Sequence, residues 1–148
     1  MPGTQDASGA GSTPGVTATG LPAAIKVINR SSTYVLTGLN VNAATTDIGT
    51  FTGLPAKYRV IRCALFDASA SLTLATVDLR TAAGGAGTAL VAAFAAIALT
   101  ASAKFVDATL AAIATTDYQT TSSLVLRCVT AQGAAATISA MLEIEDLS

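Results

Sequence analysis

The clearest pattern lies at the C-terminal end. In AAATISAMLEIEDL, Ile138, Ala140, Leu142 and Ile144 share one parity while Ser139, Met141, Glu143 and Glu145 share the other, the period of a half-buried strand. SSLVLRCVTAQ before it reads as a strand too. KYRVIRCALFDAS carries apolar residues on both parities, which predicts a strand covered on both faces. SLTLATVDLR keeps Leu72 and Leu74 on one parity and then shifts to Val77 and Leu79, predicting a bulge or bend midway. AAIKVIN puts Ile25 and Val27 on one face and Lys26 and Ile28 on the other, and STYVLT is β-branched and aromatic. GLNVNAATTDIGTFTGLPA reads as loop with one short strand around Asp47–Phe51, KFVDATLAAI as strand, and TAAGGAG and TTDYQTT as turns. In TALVAAFAAIAL, residues 88–99, Leu90, Phe94 and Ile97 fall at helical spacing and alanine favours helix. Its neighbours are all strands, so it is read as strand or irregular.

About eight short strands with regular turns and little helix predict an all-β protein, an antiparallel β-sandwich or barrel. Eight strands in about 125 residues suit a sandwich of jelly-roll type. No repeat of fixed period points to a propeller or solenoid. Residues 23–148 form the expected sandwich domain. Residues 1–22, MPGTQDASGAGSTPGVTATGLP, differ: Gly, Ser, Thr, Pro and Ala dominate, with only Val16 and Leu21 for apolar bulk. Such a segment cannot repay its chain entropy alone and predicts an extended N-terminal arm. It orders only against something that holds it, a neighbouring subunit being the simplest candidate and its own domain the alternative.

Composition sharpens this picture. Of 148 residues, 32 are Ala and 22 are Thr, over a third of the chain. Leu, Ile, Val and Phe number 37, enough for a core, since disorder is expected only when these fall below about 20%. Charged residues make up 11%, against about 25% in a typical soluble domain. A surface this poor in charge implies either faces covered by other subunits or solvation by Thr, Ser, Asn and Gln. Charge is thinnest in residues 1–22 and between Arg80 and Lys104, so these two segments are the expected contact surfaces. Their candidate interface residues are Thr13, Pro14, Val16, Leu21, Pro22, Leu90 and Phe94.

Net charge of −1 leaves no electrostatic footprint for nucleic acid. The nearest cluster, Lys57, Arg59 and Arg62, puts Lys57 and Arg59 on one strand face with Arg62 pointing away, and reads as rim charges or partners for acids. The stretch Thr81 to Ala103 is uncharged over 23 residues but rich in Ala, Gly and Thr, which insert weakly, so no membrane span is expected. The start of the chain shows no basic region and no apolar run of a secretory leader, and a soluble protein is expected.

Candidate chemistry is sparse. The chain has no His, so no Ser-His-Asp or Cys-His pair and no imidazole metal site can form. Cys63 and Cys128 lie in apolar strand-like runs where a free Cys acts as a small hydrophobe, although a bridge between adjacent strands stays open. Glu143 and Glu145 share the outward face of the last strand, as solvated groups or salt-bridge partners rather than a catalytic pair. Asp47, Asp67, Asp78, Asp107 and Asp117 fall mostly at strand ends or turns, where Asp caps backbone amides. GGAG at 84–87 lacks the Lys-Ser/Thr of a phosphate loop and reads as a tight turn needing positive φ. Asn29-Arg30-Ser31 matches a glycosylation sequon, discounted without a secretion signal. No catalytic, cofactor-binding or metal residue is expected, and no small-molecule substrate.

The Gly/Thr/Pro arm leading into an Ala/Thr-rich eight-strand domain resembles the jelly-roll head decoration (cement) proteins of tailed bacteriophages, and so do the phrases GLPAKYRVIRCALFDASASLTLATVDLRTAAGGAGTALV and LVLRCVTAQGAAATISAMLEIEDL. The resemblance runs over roughly residues 23–148. It implies a structural virion protein on the outer surface of the capsid, bridging major capsid protein subunits and stabilising the head, with arms draped over neighbours and copies of itself as further partners. The alternative is a β-sandwich adhesion or receptor-binding module of a phage tail or fibre. A third is another self-assembling shell or coat subunit.

Overall fold

The computed structural model describes residues 30–100 and 104–148. The arm at 1–22 and the strand expected at 23–29 lie outside the described residues. The described residues form eight strands: β1 Ser31–Asn40, β2 Thr46–Thr52, β3 Tyr58–Phe66, β4 Thr76–Arg80, β5 Ala89–Ala95, β6 Phe105–Asp107, β7 Ser123–Thr130 and β8 Thr137–Asp146. A short helix, α1, spans Ala112–Thr116, and single 3₁₀ turns occupy Ala83–Gly85 and Ala96–Ala98.

The strands form two four-stranded sheets in the orders β1-β8-β3-β6 and β2-β7-β4-β5, with every neighbouring pair antiparallel. Their inner faces meet in one core. Ile138, Ala140, Leu142 and Ile144 of β8 are at most 1% exposed, as their alternation predicted. Phe51, Val60, Cys63, Leu65, Val77, Leu79, Leu90, Leu124, Leu126 and Cys128 complete the layer between the sheets. Each fully buried Leu, Ile or Val contributes roughly 1.5–3 kcal/mol over an exposed position, so this layer is the main source of stability.

Three local predictions are corrected. First, β3 is covered on both faces only in its second half, where Cys63, Ala64 and Leu65 are buried; Arg59 and Ile61 are exposed. A bulge at Ile61 shifts the pairing with β8, so that Arg59 lies opposite Glu145 and Arg62 opposite Glu143. That extra residue turns Arg62 onto the same outward face as Arg59.

Second, the strand read from SLTLATVDLR begins only at Thr76. The amides of Thr73, Leu74 and Ala75 donate to the side chain of Gln132 instead of to a ladder partner. The parity shift is real but marks the junction of a loop and a strand. Third, KFVDATLAAI forms only the three-residue β6, and its end passes into α1, where alanine's helix propensity and the burial of Ala114 prevail.

Residues 88–99 settle as β5 followed by a 3₁₀ turn. TAAGGAG is a turn, with Gly84, Gly85 and Gly87 all at positive φ. A Cβ at Gly87 would lie 2.5 Å from Thr81 Oγ1 and 2.9 Å from the Ala82 amide, so both conformation and space require glycine there.

Candidate interaction surface

The structure separates the expected interface residues. Thr13, Pro14, Val16, Leu21 and Pro22 lie outside the described residues. Leu90 is wholly buried in the core, and its carbonyl accepts the Ala111 amide. It is not a surface residue, because β5 pairs with β4 at the margin of a sheet whose inner face needs it. Phe94 is half-buried and packs on the core opposite Val77. Helical spacing put the two on one face; the bulged strand gives them different depths.

That bulge has a visible cause. Ala92 and Ala93 are inserted opposite Asp78, and Ala93 takes φ 45°. Asp78 is 4% exposed, yet its carboxylate accepts the Ala93 amide at 2.5 Å and Arg80 Nε at 2.8 Å. Arg80 also donates to the carbonyls of Gly85 and Gly87, tying the β4–β5 turn to the same pair. Across the sheet, Asp47 accepts the Gly84 amide at 2.7 Å and Arg127 Nη1 at 2.9 Å. The Gly84 amide, and after it the Arg127 guanidinium, hold the Asp47 carboxyl below its ordinary value despite the opposing effect of desolvation.

The outer face of the β1-β8-β3-β6 sheet is also internally paired. Arg59 meets Glu145 at 2.7 Å, Arg62 meets Asp107 at 2.5 Å, and Ser31 donates to Glu143. Arg62 lies over the Phe105 ring at 4.6 Å and Lys57 over Tyr118 at 4.2 Å. Such exposed pairs are screened by water and contribute little, but they occupy the cations that formed the basic cluster of the sequence. The glutamates act as ion-pair and hydrogen-bond acceptors. Beside Arg59, a shallow hollow of about 230 Å³ is lined by Val60, Ile61 and Thr115.

Cys63 on β3 and Cys128 on β7 are both free and buried, in strands of opposite sheets. Burial, reinforced by the charge of Asp107, pushes the Cys63 thiol up to about 12. Burial raises Cys128 as well, and its Sγ donates to the carbonyls of Thr130 and Val41. Both are neutral near pH 7, not activated nucleophiles. Among the described residues, no group of three His, Cys, Asp or Glu is placed to hold a metal ion, and no helix is long and apolar enough to cross a membrane.

One end of the sandwich stands apart. The β1–β2 loop (41–45), the β3–β4 loop (67–75), the segment after β5 (96–100) and the β7–β8 loop (131–136) are joined there by hydrogen bonds. Val41 donates to Ala136 and Gln132 to Val41, Ser69 donates to Thr137, and Leu72 donates to Leu99. Ser71 and Thr100 form an isolated bridge. Gln132, 9% exposed, is the centre of this layer: its Oε1 accepts the amides of Thr73, Leu74 and Ala75 at 3.0, 3.1 and 3.3 Å. Its Nε2 donates to Ser71 O and Thr73 Oγ1. Asp67 is the one charged residue in these four stretches.

Leu74 and Ile97 project from this layer, 57% and 52% exposed. The segments that carry them are joined on either side, by the Ser71–Thr100 bridge and by the Thr76–Ala95 pair. The sequence reading missed both. Leu74 shares a parity with the buried Leu72, and only the Gln132 contacts reveal that the chain turns between them. Ile97 was noted for its spacing, whereas the 3₁₀ turn is what lifts it outward.

No protein-family model matches this chain, and neither the curated proteins nor the solved structures compared with it include a match.

Proposed function

We propose that this chain is a head decoration (cement) protein of tailed-bacteriophage type, a jelly-roll sandwich on the outer surface of a capsid. In this role it stabilises the head by bridging major capsid protein subunits, with other copies of itself as further partners. It acts through surface contact, without catalysis, cofactor or small-molecule substrate. The strand orders β1-β8-β3-β6 and β2-β7-β4-β5 support the jelly-roll part of the reading, since they interleave two four-stranded sheets as two Greek keys do.

The observation that carries the functional part is the loop end just described. It is almost free of charge, firmly hydrogen-bonded and topped by exposed apolar side chains, whereas four ion pairs take up eight of the charged side chains elsewhere. A rigid neutral surface loses little on desolvation or ordering when another protein covers it. Many weak contacts of this kind on a lattice add avidity.

Deleting residues 2–22 tests the reading. The shortened chain keeps the β-sheet circular dichroism of the full chain but loses occupancy on capsids stripped of the protein. Unchanged occupancy refutes the role assigned to the arm. Failure of the full chain to bind any such capsid, together with specific binding on a glycan array, moves the assignment to an adhesion module.

A further inference from the structure

We propose that the free edge of β1 pairs with the same edge of a second copy, joining two β1-β8-β3-β6 sheets into one across a two-fold axis. The inference deepens the reading as a cement protein, on which it rests for the use of the contact, by assigning the self-contact to named backbone groups.

The ladder shows which groups are free. The Asp146 amide donates to the Arg30 carbonyl, one step beyond the Ser31–Glu145 pair of the β1–β8 register. In an antiparallel ladder such hydrogen-bonded pairs alternate with pairs whose main-chain groups point away. Ser32, Tyr34 and Leu36 therefore bond β8, whereas the amides and carbonyls of Ser31, Thr33 and Val35 are directed at the free edge. Among the described residues no backbone group meets them. The side chains of Ser31, Thr33 and Val35 are exposed on the outer face, while Tyr34 and Leu36 pack inward against the core.

The contrast between the sheet edges points to a second copy as the occupant. A row of unpaired main-chain groups is a template for another strand, and the strand always at hand is that of an identical chain. The other three edges are guarded against it. β6 is three residues long, β5 is bulged at Ala92 and Ala93, and β2 is bulged at Ile48 and carries Asp47. β1 carries no charge and no proline, and its register runs unbroken from Ser31 to Leu36 before the irregularity at Gly38. Pairing β1 with β1 uses this edge in both copies and leaves only guarded ones, so association closes at two.

The strand also fits itself. With Thr33 on the axis, Thr33 faces Thr33 of the second copy and Ser31 faces its Val35. The residues directed at the free edge then meet one another and exchange both main-chain hydrogen bonds at each pair. Thr beside Thr is a favourable cross-strand pair, and no like charges are brought together.

Amide hydrogen exchange of the full chain, followed residue by residue over a range of concentrations, is the test. The amides of Ser31, Thr33 and Val35 are protected at high concentration and lose protection on dilution, in step with the dimer seen by sedimentation equilibrium. Thr33→Lys sets two ammonium groups against each other at the axis. Val35→Pro removes an amide that the sandwich itself does not use. Each weakens dimerisation about tenfold or more, while Leu74→Asp, exposed at the loop end, leaves it unchanged. Should Val35→Pro fail to fold, Thr33→Lys and the exchange profile of the wild type decide. A monomeric wild type, a dimer that survives Thr33→Lys, or a dimer lost in Leu74→Asp overturns the inference. So does protection that is independent of concentration, because it places another segment of the same chain on the edge.

Capsid occupancy separates this inference from the function on which it rests. A chain that pairs through β1 yet occupies no capsid upholds the pairing and removes the cement reading. A chain that occupies capsids with its β1 amides unprotected upholds the cement reading and overturns the pairing.

Discussion

The carboxylate of Asp78 accepts the backbone amide of Ala93, a residue held at φ 45° in the bulge of β5. An L-residue in the left-handed region costs about 1 kcal/mol or more, so a buried acceptor is what sustains this conformation. Asp78→Ala removes that acceptor and leaves Arg80, a quarter exposed, without its partner. The expected loss is about 2–3 kcal/mol in urea unfolding, at the low end for a broken buried pair because Arg80 keeps some water. Ala93→Gly is neutral or stabilising by up to about 1 kcal/mol, since glycine adopts this φ without strain. A destabilising Ala93→Gly would contradict the assignment.

Gln132→Ala leaves three amides without an acceptor, and only that of Ala75 belongs to a buried residue. The global cost is therefore about 2 kcal/mol rather than three times a buried amide's penalty. The local effect is larger. Amide hydrogen exchange at Thr73, Leu74 and Ala75 accelerates together in Gln132→Ala, while exchange in β8 stays at the global limit. Exchange that rises equally everywhere would show that Gln132 does not hold this loop in particular.

The fold was most legible where one strand serves one face. Ile138 to Ile144 alternate because β8 is central in its sheet and, Ser139 apart, fully covered on one side only, so period two passes into burial. Legibility failed wherever a distant side chain replaced a ladder. Nothing within SLTLATV shows that Gln132, 57 to 59 residues away, takes its amides. A single inserted residue had the same effect in β3: Ile61 reversed the side assigned to Arg62, although the cations do pair with acids as the cluster was read. Which apolar residues of the charge-poor segment after Arg80 are exposed was not legible. The absence of charge after Arg80 is a property of composition, whereas the choice among Leu90, Phe94 and Ile97 depends on a bulge and a 3₁₀ turn.

Those three residues can be distinguished by stability alone. Leu90→Ala removes a wholly buried side chain and costs about 2–5 kcal/mol. Ile97→Ala, at a position more than half exposed, changes unfolding of the monomer by less than about 0.5 kcal/mol. Phe94→Ala falls between them. Equal losses at Leu90 and Ile97 would place Ile97 in the core and remove it from the surface.

Acid tests the Asp47 link between β2, β7 and the glycine turn. Its folded carboxyl titrates below the unfolded value, chiefly because of the Gly84 amide and then Arg127. The contribution is therefore complete above the unfolded value, near pH 4, and is lost as pH falls through the lower folded value. The stability of the wild type drops as pH falls below about 4, and Asp47→Asn lowers stability at pH 7 while flattening that drop. A wild type and variant with parallel profiles would remove Asp47 from the acid response. Ser148 similarly lowers Asp146, so Asp146→Asn is a useful second arm at the exposed chain end.

Alkali tests the core from the other direction. The Cys63 thiol is raised to about 12 by burial first and Asp107 second, while in the unfolded chain it titrates near 8.5. The unfolded state therefore releases a proton that the folded state keeps. Stability is unaffected below about pH 8 and declines as pH rises from there toward the folded value. Cys63→Ala makes a small cavity and lowers stability at pH 7 by about 1 kcal/mol, but it removes this part of the alkaline decline. A thiol reagent at pH 8 gives the kinetic counterpart. Cys63 reacts at the rate of unfolding in the native protein and immediately in urea, so a fast native reaction at Cys63 would mean that the β3–β8 pairing opens far more readily than its burial implies.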